Sequence, residues 1–308
     1  MKTVYYILGC TGCGKGAVGR LLAARAGGQI ISIDSMKIYR RMDIGTAKPS
    51  AAARAAVPHH CIDLVEPGEG YSVAQYVAAA DAAIAAIRDA AAVPLAVGGT
   101  SLYIKALSEG LFQAPQAQAG VRDELKARAA AQGLARLHKE LTVIDPTAAA
   151  RIHPNDERRI VRALEVHQTT GQAISDLQQQ WDAGLQRHPC VFIGLRREKE
   201  DQSRRINLRV KLMVQAGLRD EVAALMKEPA GLSPQAAQAV GYAEIIRHLA
   251  GRCSFDDAVE QIKINTRQLA KKQRTWHRRF LDVRWFDLAE SETAEQTVER
   301  ILADVKFE

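Results

Sequence analysis

An α/β architecture, a mostly parallel sheet covered by helices on both faces, is predicted by three features of the sequence. Short apolar runs alternate with helix-period segments through the N-terminal third of the chain. The first of these runs ends in a glycine-rich turn that opens directly onto a helical segment. Strand signals then lapse over residues 113–189 and resume at Cys190, as expected for one sheet interrupted by an inserted helical piece.

Residues 4–8 form the first apolar run, and residues 17–26 have the composition of the helix that follows. A second buried strand is predicted over residues 30–33, ending at Asp34. Ser72 and Gln75 have the spacing of a capping box, opening a helix whose apolar face is Val73, Tyr76, Val77, Ala80, Ile84 and Ile87. Pro94 introduces a third strand over residues 95–97, closed by Gly98 and Gly99. Residues 113–189 are helical and polar, rich in Ala, Gln and Arg, with breaks at Gly133, Pro146, Pro154 and Gly171. A strand returns over residues 190–195, helices fill most of the span to Phe280, and residues 283–286 suit a last strand. The expected division is a core of residues 1–112 and 190–308 and a helical insertion of residues 113–189.

With 308 residues, 47% hydrophobic and 25% charged, the chain has the balance of a soluble globular protein. That composition excludes a disordered chain, a collagen-like repeat and a disulfide scaffold. No apolar run reaches the roughly 18 residues a membrane span requires. The opening residues lack the apolar stretch and cleavage site of a signal peptide, so a cytoplasmic location and no membrane association are expected. The five cysteines, at positions 10, 13, 61, 190 and 253, imply no disulfide framework. The net charge of +7 is modest for this length, and its distribution says more than its total. Lys263, Arg267, Lys271, Lys272, Arg274, Arg278 and Arg279 fall in one helical stretch without an acidic residue. Arg267, Lys271, Arg274 and Arg278 follow a single helix face. Like charges so close favour a polyanionic partner, and Arg267, Lys271 and Arg274 are its candidate contacts. Trp276, within the same stretch, is expected to pack rather than stack on a base.

Gly9-Cys10-Thr11-Gly12-Cys13-Gly14-Lys15-Gly16 follows a predicted strand and precedes a predicted helix, the context of a phosphate-binding loop. Glycines let backbone N–H groups turn toward phosphate oxygens, the helix start adds positive potential, and Lys15 adds a full charge. The fold class is therefore a P-loop NTPase-like parallel sheet with flanking helices and a helical insertion domain. Gly16 stands where a Ser or Thr hydroxyl normally ligates Mg²⁺, and the third strand lacks a terminal acidic residue. Both omissions weaken a phosphoryl-transfer reading and leave a site able to bind a diphosphate. Cys10 and Cys13 are read as small filler in the loop, and His59-His60-Cys61 as structural rather than metal-binding. Asp34, just past the second strand, and Thr100, past the third, should face the loop, since ligands gather at the carboxyl ends of parallel strands. A carboxylate there suits proton acceptance from an amine or hydroxyl nucleophile, although a capping role fits it as well.

These motifs resemble the tRNA dimethylallyltransferase family, the bacterial tRNA isopentenyltransferases. The resemblance rests on the phosphate loop, Asp34-Ser35-Met36-Lys37-Ile38-Tyr39 and Met42-Asp43-Ile44-Gly45-Thr46-Ala47-Lys48-Pro49. His59-His60-Cys61-Ile62-Asp63, Tyr71-Ser72-Val73-Ala74 and Val97-Gly98-Gly99-Thr100-Ser101-Leu102-Tyr103 continue it. Ile152-His153-Pro154-Asn155-Asp156, Arg162-Ala163-Leu164-Glu165-Val166, Val240-Gly241-Tyr242 and the run from Thr266 through Trp276 complete it in order over nearly the whole chain. The resemblance implies transfer of the dimethylallyl group of dimethylallyl diphosphate to N6 of the adenosine immediately 3′ of the anticodon, with Mg²⁺ as cofactor. It implies roles for Asp34, Thr100 and Arg122 in the reaction. It also implies tRNA contacts by Asp34, Ser35, Met36 and Lys37 and by Arg158, Arg159, Ile160, Val161 and Arg162. The target base would leave its stack, and a monomer would suit a protein that wraps an anticodon stem-loop. A nucleotide or metabolite kinase, a free-adenylate isopentenyltransferase and an RNA-binding module with an inactive loop remain as alternatives. The insertion helix and the basic stripe favour tRNA over free nucleotides.

Overall fold

The computed structural model describes residues 3–111, 120–178, 186–280 and 282–308. The chain divides into two compact units, Met1–Ser108 with His188–Glu308, and Glu109–Arg187. The border drawn from the sequence at residues 112/113 lies outside the described residues.

In the first unit, β1 (Val4–Gly9) leads into α1 (Lys15–Ala26), followed by β2 (Gly28–Ile33), α2 (Ala51–Ala56), β3 (His59–His60), α3 (Val73–Asp89), β4 (Val93–Gly98) and α4 (Ser101–Glu109). The second unit holds α5 (Val121–Gln132), α6 (Leu134–Ile144), α7 (Pro146–Arg151), α8 (Glu157–Thr170) and α9 (Ile174–Leu177). The chain then returns through β5 (Cys190–Arg197), α10 (Lys199–Gln215), α11 (Leu218–Met226), α12 (Tyr242–Leu249), α13 (Phe255–His277), β6 (Val283–Leu288) and α14 (Ala294–Asp304).

The six strands form one sheet in the order β3-β2-β4-β1-β5-β6, every pair parallel. β1 lies at its centre, paired with β4 on one side and β5 on the other, so its carboxyl end opens between two neighbouring strand ends. Strand side chains alternate between two cores. Tyr5, Ile7, Leu95, Val97, Ile193 and Leu195 pack on one face against Val18 and Leu22 of α1 and Val298 and Ile301 of α14. Tyr6, Leu8, Ile31, Ile33 and Ala96 pack on the other against Tyr76, Ile84 and Ile87 of α3 and Ile104 and Leu107 of α4. The Ser72–Gln75 box caps α3 in both directions, an arrangement worth about 1 kcal/mol.

The short edge strand β3 was not expected. His59 Nδ1 lies 2.6 Å from the Val57 carbonyl and His60 Nε2 2.8 Å from Gln29 Oε1, so both imidazoles serve structural contacts. No group of three or more His, Cys, Asp or Glu able to hold a metal occurs among the described residues. A third core joins Ile38, Tyr39 and Met42, in the loops after β2, to α10, α11, α12 and α13 through Val210, Leu218, Tyr242 and Ile262. No helix of the described residues is long and apolar enough to cross a membrane.

Candidate active site

After β1 the chain turns back through Cys10-Thr11-Gly12-Cys13-Gly14, closed by a hydrogen bond from the Cys13 N–H to the Cys10 carbonyl at 3.2 Å. Gly12 has φ +86°, and a Cβ there would stand 2.9 Å from Cγ1 of Ile206, so glycine is required on both counts. Gly14, with φ +101°, caps α1 without a side chain, which leaves the first N–H groups of the helix open to the loop. Lys15 Nζ bends back over the turn and donates to the Cys10 carbonyl at 3.3 Å. Cys10 and Cys13 are buried free thiols, and burial pushes the Cys10 thiol up from its ordinary value, which suits filler rather than a reactive thiolate.

Two helices brace this loop. From α10, Gln202 Nε2 donates to the Thr11 carbonyl at 2.8 Å, Arg205 Nε to the Gly12 carbonyl at 3.2 Å and Arg209 Nη1 to Thr11 Oγ1 at 3.3 Å. From α13, Gln273 Oε1 accepts the Thr11 N–H at 2.7 Å while its Nε2 donates to the Gly99 carbonyl at 2.9 Å, tying the ends of β1 and β4 together. None of these residues was singled out from sequence. Gln202, Arg205 and Arg209 do repeat at i, i+3 and i+7. Without the position of α10 over the loop, that pattern is indistinguishable from a solvated charged face.

Asp34 follows β2. Its Oδ1 accepts from the N–H groups of Met36 at 2.9 Å and Lys37 at 3.4 Å. Oδ2 has no hydrogen-bond partner among the described residues. The carboxylate thus caps a turn and still offers one oxygen. Thr100, past β4, is fixed beside it: Thr100 Oγ1 accepts the Ser35 N–H at 3.1 Å, leaving the hydroxyl proton to be donated elsewhere. Burial holds the Lys37 ammonium below its ordinary value, a shift that Asp34 opposes and that Lys15, Arg209 and Arg20 reinforce. Burial likewise lowers Arg209, which also lies in the fields of Arg205 and Asp34. None of Lys15, Arg20, Lys37, Arg205 and Arg209 forms an ion pair among the described residues, so Asp34 faces a local excess of positive charge.

On the β5 side of the loop lies a cavity of about 730 Å³ whose walls include Cys10, Cys13, Gln202, Arg274, His277 and Trp285. Asp34 and Thr100 do not line it. His277 is buried there, neither ring nitrogen has a hydrogen-bond partner among the described residues, and burial together with Lys15 lowers its imidazole to about 4.

The basic stripe of α13 splits in two. Lys271 is exposed, whereas Arg274 Nη2 donates to Gln202 Oε1 beside the phosphate loop. Arg267 Nη1 donates to Asn207 Oδ1 at 2.7 Å. Trp276 is half-buried, with the Arg279 guanidinium 4.8 Å above its ring.

Within the second unit, Arg122 Nη2 and Arg162 Nη1 each donate at 2.8 Å to Oε2 of the buried Glu165. Burial alone would raise that carboxyl, but the two guanidinium bonds outweigh it and hold it below its ordinary value. Arg158 and Arg159 are exposed. Ile160 and Val161, expected among the tRNA contacts, are buried in the apolar core of this unit with Leu125, Leu137 and Leu164. An amphipathic helix cannot turn five consecutive side chains to one surface, so the Ile160 and Val161 side chains belong to the core rather than to a tRNA contact.

Mg²⁺ fits poorly. Gly16 brings no hydroxyl, Oδ1 of Asp34 is spent on backbone N–H groups, and the remaining charged groups at the loop are cations. The donor set does not make a protein-held Mg²⁺ site.

A cradle for a diphosphate at the end of one strand, with a half-free carboxylate at the end of another, defines an α/β protein built to handle a phosphorylated donor beside a proton-yielding acceptor. The family model described as IPP transferase matches residues 37–280, and the chain belongs to that family. It is 47% identical over 278 residues to the tRNA dimethylallyltransferase of Halorhodospira halophila, covering 89% of each chain. It is 44% identical over 284 residues to that of Desulforudis audaxviator, covering 92% of this chain and 91% of the relative. The crystal structure of the full-length tRNA isopentenylpyrophosphate transferase of Bacillus halodurans superposes with a TM-score of 0.73 at 37% identity, covering 99% of this chain and 95% of that one.

Proposed function

We infer that this chain transfers the dimethylallyl group of dimethylallyl diphosphate to N6 of the adenosine immediately 3′ of the anticodon in tRNA, releasing diphosphate and leaving N6-isopentenyladenosine. The observation that carries the reading is the pairing of the cation-lined loop with Asp34, in a member of the IPP transferase family. The adenine nitrogen attacks the allylic carbon as its bond to the diphosphate oxygen breaks, and the proton displaced from nitrogen passes to Oδ2 of Asp34. Negative charge growing on the departing diphosphate meets the helix N–H groups, Lys15, Arg205 and Arg209, which stabilise it where it develops. Thr100, its oxygen already engaged by Ser35, donates toward the diphosphate or the base. Gly9 through Gly16 form the donor cradle. Arg122 enters as a candidate reaction residue through the family resemblance, and Ser35, Met36, Lys37, Arg158, Arg159, Arg162, Arg267 and Lys271 as candidate tRNA contacts. Arg274, a candidate tRNA contact from its place on the stripe, bonds Gln202 beside the loop, which supports a place on the donor side. A Mg²⁺ ion taking part would be carried on phosphate oxygens and water, and no step here depends on one. The protein acts on a flipped-out base, as a monomer in the cytoplasm.

The test is mass spectrometry of nucleosides digested from tRNA incubated with the protein and dimethylallyl diphosphate, with and without Mg²⁺. The expected product is adenosine heavier by one C5H8 unit. Unmodified tRNA together with ATP-dependent phosphorylation of an acceptor would overturn the reading in favour of a kinase.

A further inference from the structure

Arg20 stands where the side chain missing from Gly16 would have been. The two residues are one turn apart on the same face of α1. Helical side chains lean toward the N-terminus of their helix, which carries the Arg20 guanidinium back over Gly16 and toward the phosphate loop. A Cβ built on Gly16 would lie 3.7 Å from Nη1 of Arg20 and within 4 Å of no other side chain. A hydroxyl at position 16 would therefore abut a guanidinium, and a metal ion held by that hydroxyl would compete with it for space and charge. Arg20 is half-buried and has neither an ion-pair nor a hydrogen-bond partner among the described residues. Its field reaches Lys37, after β2, as well as His59 of the edge strand β3, and its Nη1 lies over Gly16 at the start of α1. An arginine is seldom held among other cations without a carboxylate unless an anion completes the site.

We propose that Arg20 is a diphosphate-binding residue that puts a fixed guanidinium in the place of a hydroxyl-held Mg²⁺, making diphosphate binding by this chain independent of divalent metal. The proposal rests on the prenyl-transfer reading only for the identity of the donor. A guanidinium offers paired N–H donors to two phosphate oxygens. It carries one positive charge where Mg²⁺ carries two, and Lys15, Arg205 and Arg209 supply the remainder.

The experiment is calorimetric titration of inorganic diphosphate into the full chain, in excess chelator and again in Mg²⁺. Wild type is compared with Arg20→Ala, Arg20→Lys and the double variant Gly16→Thr with Arg20→Ala, each checked for an unchanged melting transition. Wild type is expected to bind in chelator nearly as well as in Mg²⁺, and Arg20→Ala to lose about tenfold or more in affinity, a loss of the size expected for charge-assisted bonds. Arg20→Lys should recover part of that loss, and the double variant should bind well only in Mg²⁺. Wild type that binds only in Mg²⁺, or Arg20→Ala that matches wild type in chelator, overturns the proposal. Dimethylallyl transfer to tRNA is measured in parallel. Its absence beside Arg20-dependent diphosphate binding removes the prenyl-transfer reading alone, and its presence beside Arg20-independent binding removes this proposal alone.

Discussion

Asp34 is a carboxylate with one oxygen fixed by the backbone and the other without a hydrogen-bond partner among the described residues. Two backbone N–H groups hold Oδ1, which fixes the direction of Oδ2. Replacing it by Asn keeps the capping oxygen and removes the proton acceptor. Asp34→Asn should therefore lower the transfer rate by about 10²–10⁴-fold with tRNA affinity unchanged, as steady-state kinetics and filter binding would measure. A rate within a few-fold of wild type would remove Asp34 as the base. His277 makes a prediction about pH. Its imidazole sits at about 4 in the folded protein, against an ordinary value of 6.5, so the folded state refuses a proton that the unfolded chain accepts. Stability attributable to this group is therefore intact above about pH 6.5 and falls as pH drops toward 4. The slope should approach about 1.4 kcal/mol per pH unit within that window. In His277→Gln the denaturation midpoint should lose that extra acid sensitivity, and an identical pH dependence in the variant would show that the ring is solvated.

At the scale of elements, the basic side chains of one helix stretch face two different surroundings. Lys271 on α13 points outward, and Arg274, one turn on, points at Gln202. Lys271→Ala should flatten the dependence of log tRNA affinity on log salt by about 0.7 to 0.9, the share of one lost phosphate contact. Arg274→Ala should leave that slope unchanged and raise the KM for dimethylallyl diphosphate instead. Equal salt slopes in the two variants would mean that both side chains face nucleic acid. This split was hidden in the sequence because a stripe at i, i+4, i+7 and i+11 is more than one helix face once the helix packs against two neighbours. The strand–loop–helix around Gly12, the capped α3 and the strands either side of the insertion were legible, each resting on local chemistry that a neighbour cannot override. β3 was not, since two histidines become a strand only by pairing with Ile30 and Ile31. Nor were Gln202, Arg205, Arg209 and Gln273, whose meaning depends on helices more than 180 residues along the chain being folded over the first loop. The burial of Ile160 and Val161 was not legible either, since which side chains of α8 turn inward depends on the helices that pack against it.

For the whole molecule, a net charge of +7 is small, but several of its cations gather at the phosphate loop and along α13. Cations without ion-pair partners among the described residues surround the loop, and further cations run along α13. Binding of tRNA should accordingly weaken steeply between about 50 and 200 mM salt, by a factor that grows with each phosphate neutralised. A salt-insensitive affinity, measured by filter binding across that range, would count against an electrostatic interface of any kind. Sequence composition alone could not locate this charge, because the parallel sheet brings together residues from β1, β2, β4 and two distant helices.

Gln273 has one more consequence. Its amide grips Thr11 with one atom and Gly99 with the other, while Lys271, two residues earlier on the same rod, reaches into solvent. A displacement of the rod relative to the sheet would stretch both bonds of that amide, so its outer surface and the phosphate turn share one latch.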